Sequence, residues 1–356
     1  MSPLTTFSKV EIHGSGLIGT SIGLALAANG VEVRMVDSDS RAQGLAQELV
    51  GPIMSKPFLA DLVISAVPIS AFRSVIVALE GANFTGGFID VASVKAKPKV
   101  EVTTSRLQPS RFLPTHPMAG REVGGAESAR SDLFEGRTWI IDSQEVDGDV
   151  LAMGRELIST LGADSIDLPS DEHDKAVALI SHLPQIIASI LAKQLGGKPE
   201  SWLTLAGSGL RDTTRIAASD PKLWREIISA NAAAIEPLLR SFSKDLTSLL
   251  DHLSDESAVE KVIADGVQGR SAIPGKHGGK VREYTYLPIV IEDKPGQLAA
   301  IFNECAKAEV NVEDLSIEHS PGQETGLITL ALSSSDARKL AEHLSSAGWS
   351  VHTPRG

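Results

Sequence analysis

Val10-Glu11-Ile12-His13-Gly14-Ser15-Gly16-Leu17-Ile18-Gly19 is the stretch that decides the architecture. Val10 to His13 read as a strand and Leu17 to Asn29 as a helix rich in Ala, Leu and Ile, so the glycines occupy a strand-to-helix turn. Gly14 permits the tight turn, Gly16 lets a pyrophosphate approach the backbone, and Gly19 lets helix and strand pack closely. The free N–H groups of the first helical residues, Leu17 and Ile18, and the positive end of the helix dipole then face the phosphates. Asp37 ends a second strand, Val31 to Val36, about 20 residues beyond the turn, where a carboxylate binds a ribose 2′-hydroxyl and repels a 2′-phosphate. NAD is therefore the expected cofactor. Arg34 and Arg41 leave a 2′-phosphate pocket, and so NADP, open as the alternative.

Short apolar runs alternate with helical patterns beyond this point. Leu62 to Val67, Phe88 to Val91, Arg111 to Thr115 and Thr138 to Ile141 read as later strands. That alternation implies a parallel, doubly wound α/β Rossmann sheet, placed at residues 1–167. Val67 and Pro68 then fall at the carboxyl edge of the sheet, where open α/β folds bind ligands. Residues 168–265 contain no strand pattern and read as an all-α domain. Asp220-Pro221 starts one helix with a capping carboxylate and Pro at the first helical position, and Pro237 interrupts the long helical stretch that follows. A single helical layer of this kind buries its apolar stripe against a partner, so a homodimer is expected. Residues 266–281, rich in glycine, read as a linker, and residues 282–356 as a small βαββαβ module of ferredoxin-like order.

A chain of 356 residues has room for these domains, and its net charge of −12 argues against nucleic acid, which needs a basic face. One cysteine, Cys305, allows no intrachain disulfide and fits a cytoplasmic protein. No signal peptide is expected at the start. Ala176 to Ala192, broken by Ser181, His182, Pro184 and Gln185, is not expected to span a membrane. No metal site is expected.

Two polar clusters leave strands at the carboxyl edge beside the expected nicotinamide: Asp90-Val91-Ala92-Ser93-Val94-Lys95 and Thr115-His116-Pro117-Met118-Ala119-Gly120. Oxidation of an alcohol needs a group to take the hydroxyl proton, and histidine suits that task near neutral pH. Ser93 is placed to orient His116 or to bond the same hydroxyl. The helical domain adds His182, beside Pro184, and Arg211-Asp212-Thr213-Thr214-Arg215, in which either arginine suits a substrate carboxylate. His13, His173 and His252 lie outside any motif, and Arg211 or Arg215 has Asp212 or Asp220 as an ordinary ion-pair partner.

The order of these motifs resembles the prephenate dehydrogenase family. The resemblance rests on Gly14 to Ser21, Val91 to Lys95, His116 to Gly120, Ser181 to Pro184, Asp212 to Ala217 and Ser219 to Trp224, across the first two domains. It implies NAD(P)-dependent oxidative decarboxylation of prephenate in tyrosine biosynthesis, in a homodimer joined through the helical domain. It also implies roles: His116 accepts the 4-hydroxyl proton, Ser93 bridges histidine, cofactor and substrate, Arg215 binds a carboxylate with Asp212 in support, and His182 positions the substrate. One departure stands at Arg121-Glu122, where many members have Thr-Glu. It bears on the substrate side chain and keeps arogenate open beside prephenate. The last module resembles an ACT domain, with Asp293, Pro295, Gly296, Gln297 and Leu298 at its first strand–helix turn and Asn311 after the helix. That implies an amino-acid effector, tyrosine first, bound at the turn. A non-catalytic amino-acid sensor on the same fold is the remaining alternative.

Overall fold

The computed structural model describes residues 5–120, 124–273, 284–319 and 324–355. The chain divides into two compact units, Met1–Asp245 and Leu246–Gly356. In the first, a sheet is built from β1 (Lys9–His13), α1 (Leu17–Ala28), β2 (Glu32–Val36), α2 (Ser40–Val50), β3 (Leu62–Ser65), α3 (Ile69–Gly81), β4 (Gly87–Asp90), α4 (Ala96–Thr103), β5 (Phe112–Pro117), β6 (Thr138–Ile141), α5 (Gly148–Thr160) and β7 (Asp164–Asp167). The strand order is β2-β1-β3-β4-β5-β6-β7. The chain leaves β1 toward β2 on one side and returns to β3 on the other. This creates the switch point, and with it the crevice in which open α/β sheets bind ligands.

Both faces of the sheet are covered, as the continuous apolar strands require. Ile12, Met35, Ile64, Ile89 and Leu113 pack with residues of α1, α2 and α5 on one face. Val63, Phe88 and Phe112 pack with Phe72, Ile76 and Val102 from α3 and α4 on the other. Adjacent residues such as Val63 and Ile64 thus enter opposite cores, which follows from the two-residue period of a strand.

The sheet is not wholly parallel. β6 runs antiparallel to β5, with His116 opposite Ile140, and β7 is parallel to β6. A parallel neighbour would need a crossover back to the opposite edge, usually a helix. Among the described residues between β5 and β6, the only regular element is a 3-10 turn at Ala126–Ser128, so β6 starts at the edge where β5 ends. β7 carries no apolar signal because all four residues are exposed. Its aspartates blunt an edge strand.

The helical continuation comprises α6 (Ser170–Val177), α7 (Leu183–Lys193), α8 (Glu200–Leu203), α9 (Ser208–Thr214), α10 (Pro221–Ala230), α11 (Ala232–Asp251) and α12 (Glu256–Ser271). Ser170–Lys193 is one helical stretch, and by length and composition alone it is apolar enough to cross a membrane. Within this unit it buries His173, Asp174, His182 and Gln185, while Leu179, Ile180 and Ile190 are exposed. Pro184 does not break it: the backbone widens into a π turn over Ala178–His182 and resumes with Pro184 in the first turn of α7. Asp220 caps α10 by accepting the Lys222 N–H at 2.8 Å.

Two expectations are corrected here. The long helix breaks at Asn231, whose backbone leaves helical geometry (φ −110°, ψ 22°), while Pro237 lies inside α11. Asn231 is held out of the helical path because its side chain bonds the Asp174 carbonyl at 2.8 Å and His182 at 3.1 Å. Gly266 and Gly269, assigned to a linker, lie inside α12, which Asp255 caps through the Ser257 and Ala258 N–H groups. A capped start offsets glycines that cost about 1 kcal/mol each. The unit boundary falls within α11, so α12, which buries no side chain, belongs to the second unit.

That second unit also contains β8 (Thr285–Glu292), α13 (Gln297–Lys307), β9 (Asp314–His319), β10 (Thr325–Leu332), α14 (Ser334–Ser346) and β11 (Ser350–Val351). Its four strands form an antiparallel sheet in the order β11-β8-β10-β9. Leu287, Ile289, Ile301, Leu330 and Leu340 fill its core, together with the buried Cys305. Gly296 sits at φ +92°, a conformation that glycine adopts without strain, and turns the chain from β8 into α13.

Candidate active site

The glycine turn opens onto a cavity of about 1020 Å³ at the switch point. Gly14 has φ +106°, and a Cβ there would meet the Ala66 carbonyl oxygen at 2.4 Å. A Cβ on Gly19 would meet the Gly14 carbonyl oxygen at 2.0 Å, whereas one on Gly16 would meet nothing within 4 Å. The first and third glycines are thus fixed by packing, and the second faces open space. No side chain caps α1 at Gly16, so its leading N–H groups have no side-chain acceptor there. Ser15, which lines the cavity, has a buried hydroxyl without a hydrogen-bond partner. Orphaned donors, an open glycine and a large cleft fit a dinucleotide pyrophosphate.

Asp37, Val67 and Pro68 line the same cavity. Asp37 accepts the Ser15 N–H at 2.7 Å and the Asp39 N–H at 2.9 Å. Each carboxylate oxygen retains a second lone pair for a ribose hydroxyl. Neither Arg34 nor Arg41 is on the wall. Arg34 instead forks onto the buried carboxylate of Glu11 and lies 4.6 Å over the Phe58 ring. Glu11 also bonds His13 Nε2 at 2.7 Å. Burial opposes the charge on Glu11, but His13 and Arg34 together hold its carboxyl below the usual range.

Ser93 and His116 line the same cavity. His116 is half-buried at the end of β5. Its Nδ1 lies 2.9 Å from Nε2 of His173, with the two rings edge to face, and Nδ1 of His173 lies 2.8 Å from the Asp174 carboxylate. His173 is fully buried. Asp174 also accepts the N–H groups of Lys95 and Ala96 at 2.8 and 2.9 Å, which ties α6 to the start of α4. Burial works against ionisation of Asp174, yet the His173 bond and those backbone donors keep its carboxyl below the ordinary value. Asp142, at the end of β6, fixes α6 from the other side by accepting the Ser170 N–H at 3.0 Å.

Beneath His116 lies an ion pair that is almost wholly inaccessible to solvent. Lys95 Nζ contacts the Asp90 carboxylate and the Thr115 carbonyl, and Asp90 accepts the Thr115 N–H at 3.1 Å. Burial pushes Asp90 up and Lys95 down from their ordinary values. Burial first, then the charges of Lys95, His173 and His182, hold His116 well below the usual imidazole range. His116 is therefore neutral at neutral pH and able to accept a proton.

Not every expected residue reaches the cavity. Lys95, expected at the edge beside the nicotinamide, turns inward to Asp90, because in so buried a position its charge needs a counter-charge and the strand-end carboxylate supplies it. His182 is buried behind the wall, edge-on to Trp224 at 6.0 Å. Burial lowers it to about 4, partly countered by Asp174. It thus reaches His116 electrostatically and is absent from the cavity lining. Arg215 and Asp212 are exposed and do not line the cavity, since their segment packs on α7 through a Gln185-to-Ile216 carbonyl bond of 2.9 Å. Arg121 and Glu122 lie outside the described residues. Two contributors were not expected: His173, which had no motif, and α10, whose Leu223, Glu226 and Ile227 close the cavity. The signal for His173 was its place on the stripe of Ser170 and Val177, three residues before it and four after, all of them buried.

Comparison with known proteins bears on this arrangement. Residues 22–167 match the family described as prephenate dehydrogenase, nucleotide-binding domain, and residues 169–263 match prephenate dehydrogenase, dimerization domain. The probable prephenate dehydrogenase NovF of Streptomyces niveus is 29% identical over 357 residues, covering 96% of this chain and 99% of its own. A cyclohexadienyl dehydrogenase of Zymomonas mobilis is 30% identical over 260 residues, covering 69% of this chain and 88% of its own. Among solved structures, a prephenate dehydrogenase from A. aeolicus in complex with hydroxyphenyl propionate and NAD+ has a TM-score of 0.66 at 25% identity, covering 76% of this chain and 99% of its own. With both domains matched in sequence order and a relative at 30% identity covered over most of its length, the chain belongs to the prephenate dehydrogenase family.

Proposed function

We propose that this chain is an NAD-dependent prephenate dehydrogenase, converting prephenate to 4-hydroxyphenylpyruvate by oxidative decarboxylation in tyrosine biosynthesis. The observation that carries this reading is His116, neutral and half-buried, on the wall of the cavity that begins at the glycine turn. Bound there, NAD supplies the acceptor for the hydride that leaves C4 of the cyclohexadienyl ring. His116 takes the 4-hydroxyl proton as the carbonyl forms, and Ser93 holds that hydroxyl toward the imidazole. Loss of CO2 makes the ring aromatic, which drives the reaction forward. Asp37 on the wall, with Arg34 engaged by Glu11, favours NAD over NADP. Steady-state rates with prephenate and arogenate, each with NAD and NADP, test the reading. The prephenate–NAD pair should give the highest kcat/KM, and failure of both substrates to reduce either nucleotide would sink it. Arogenate gains support from Glu127 and Glu226, two carboxylates on the cavity wall that suit its ammonium, and a higher rate with arogenate would shift the assignment.

The second unit reads as a ferredoxin-like ACT module that binds tyrosine as a feedback inhibitor. Its βαββαβ order supports this, as does the left-handed Gly296 that opens the turn between Asp293 and Leu298. Pro295 and Gln297 belong to the same turn, and Asn311 follows α13. Calorimetric titration of the full chain should show tyrosine binding, weakened about tenfold in Asn311→Ala for the loss of one hydrogen bond. Equal affinity in the two proteins would place the effector elsewhere. A homodimer is part of the proposal: Ile180, Trp202 and Leu205 are 62%, 64% and 81% exposed within the family's dimerization region. A cytoplasmic location goes with the single reduced cysteine.

A further inference from the structure

We propose that His173 and Asp174 act as a positioning relay that locks His116 in the tautomer needed for proton abstraction and takes up the charge this creates. The inference rests on the dehydrogenase reading above, and the relay itself stands on geometry. Asp174 is a carboxylate with only acceptor atoms, so the His173 Nδ1 facing it at 2.8 Å carries hydrogen. In the relay the ring proton of His173 sits on the Nδ1 that faces Asp174, so its Nε2 serves as the acceptor. The His116 Nδ1 facing that Nε2 at 2.9 Å must then donate, which leaves the lone pair on His116 Nε2. Each bond fixes the next, from a carboxylate anchored on two backbone N–H groups outward to the cavity wall.

The proton balance follows. The substrate O–H bond breaks and its proton joins His116 Nε2, while the bonding electrons stay on oxygen and form the carbonyl. His116 now carries a positive charge next to Lys95, His173 and His182, three groups that disfavour it. Transfer of the Nδ1 proton to His173 Nε2 moves that charge onto a ring directly paired with Asp174. Nothing is gained or lost in the exchange, and the cation comes to rest beside Asp174, the carboxylate bonded to His173. Lys95 cannot serve this end because it is committed to Asp90.

Two kinds of measurement test this on the full-length chain. In 15N-histidine spectra, the His116 resonances, assigned by their loss in His116→Asn, should show an Nδ1-protonated ring in the wild type. His173→Phe should shift them toward the Nε2-protonated form, and His173→Gln, which restores an acceptor near the position of Nε2, should recover the Nδ1-protonated form. In parallel, kcat should fall about 10²–10⁴-fold in His173→Phe with little change in KM. His173→Gln should regain about tenfold, one hydrogen bond's worth. An Nε2-protonated His116 in the wild type, or equal losses in the Phe and Gln variants, would overturn the relay. A wild type inactive on both substrates would defeat the functional reading alone, since the spectra still decide the tautomer.

Discussion

Replacing His116 by asparagine is expected to lower turnover about 10²–10⁴-fold while leaving NAD affinity unchanged. The asparagine amide occupies roughly the place of Nδ1, so it preserves the contact toward His173 and much of the volume at the end of β5. What disappears is the only half of the ring that faces away from the relay. The nucleotide site is built from the glycine turn, Asp37 and the segment after β3, none of which His116 supports. Fluorescence titration with NADH should therefore match the wild type, while single-turnover rates fall. Turnover within about threefold of the wild type would remove His116 from the role of base, because loss of a general base costs at least about 10². The pH profile gives an independent reading. A base whose folded pKa lies well below 6.5 stays competent as pH falls past that value, so kcat/KM should hold until the pH drops through the depressed pKa. An acid limb centred at or above 6.5 would contradict the burial of His116 among cationic and imidazole neighbours.

How far the sequence disclosed this site depends on the kind of signal each residue left. Gly14, Gly16 and Gly19 were legible because their roles are backbone roles: two of them are forced by clashes that any Cβ would meet, and spacing alone expresses that. Ser93 and His116 were legible because they follow apolar strands, which places them at the carboxyl edge. β7 was not, because an exposed edge strand needs no apolar face. Lys95 was misread for a physical reason: sequence places its backbone at the edge, but the side chain is long enough to turn back toward Asp90. His173 was hidden by the opposite effect. A buried histidine on a helical stripe looks like any core position until its two nitrogens are seen to bridge Asp174 and His116. Arg215 was legible only by its motif, and its side chain is exposed on a segment that meets α7 through the Gln185-to-Ile216 carbonyl bond.

The Asp90–Lys95 pair should dominate the response to single substitutions. Lys95 and Asp90 have side chains 1% and 0% exposed, so neither charge can recover hydration if its partner is lost. Lys95→Met leaves the carboxylate with the Thr115 and Ala92 N–H groups but no cation, and Asp90→Asn leaves the ammonium with neutral carbonyl acceptors and no contacting carboxylate. Each single change is expected to destabilise the chain by about 3–5 kcal/mol. The double variant Asp90→Asn/Lys95→Met removes both charges and should recover most of that loss, because replacing a buried pair together is often neutral. Urea unfolding midpoints at constant m would measure it, and a double variant no more stable than either single would show that the pair is not coupled in this way. The same double variant separates stability from catalysis. Lys95 is the largest charge lowering His116, whereas burial is the larger cause and remains. Removing the ammonium therefore raises the His116 pKa without restoring its ordinary value, so the acid limb of kcat/KM should move up in pH yet stay below 6.5. A limb that does not move would assign the low pKa of His116 to burial and its histidine neighbours alone, and would leave the buried pair with a purely structural part in holding β4, β5 and the start of α4 together.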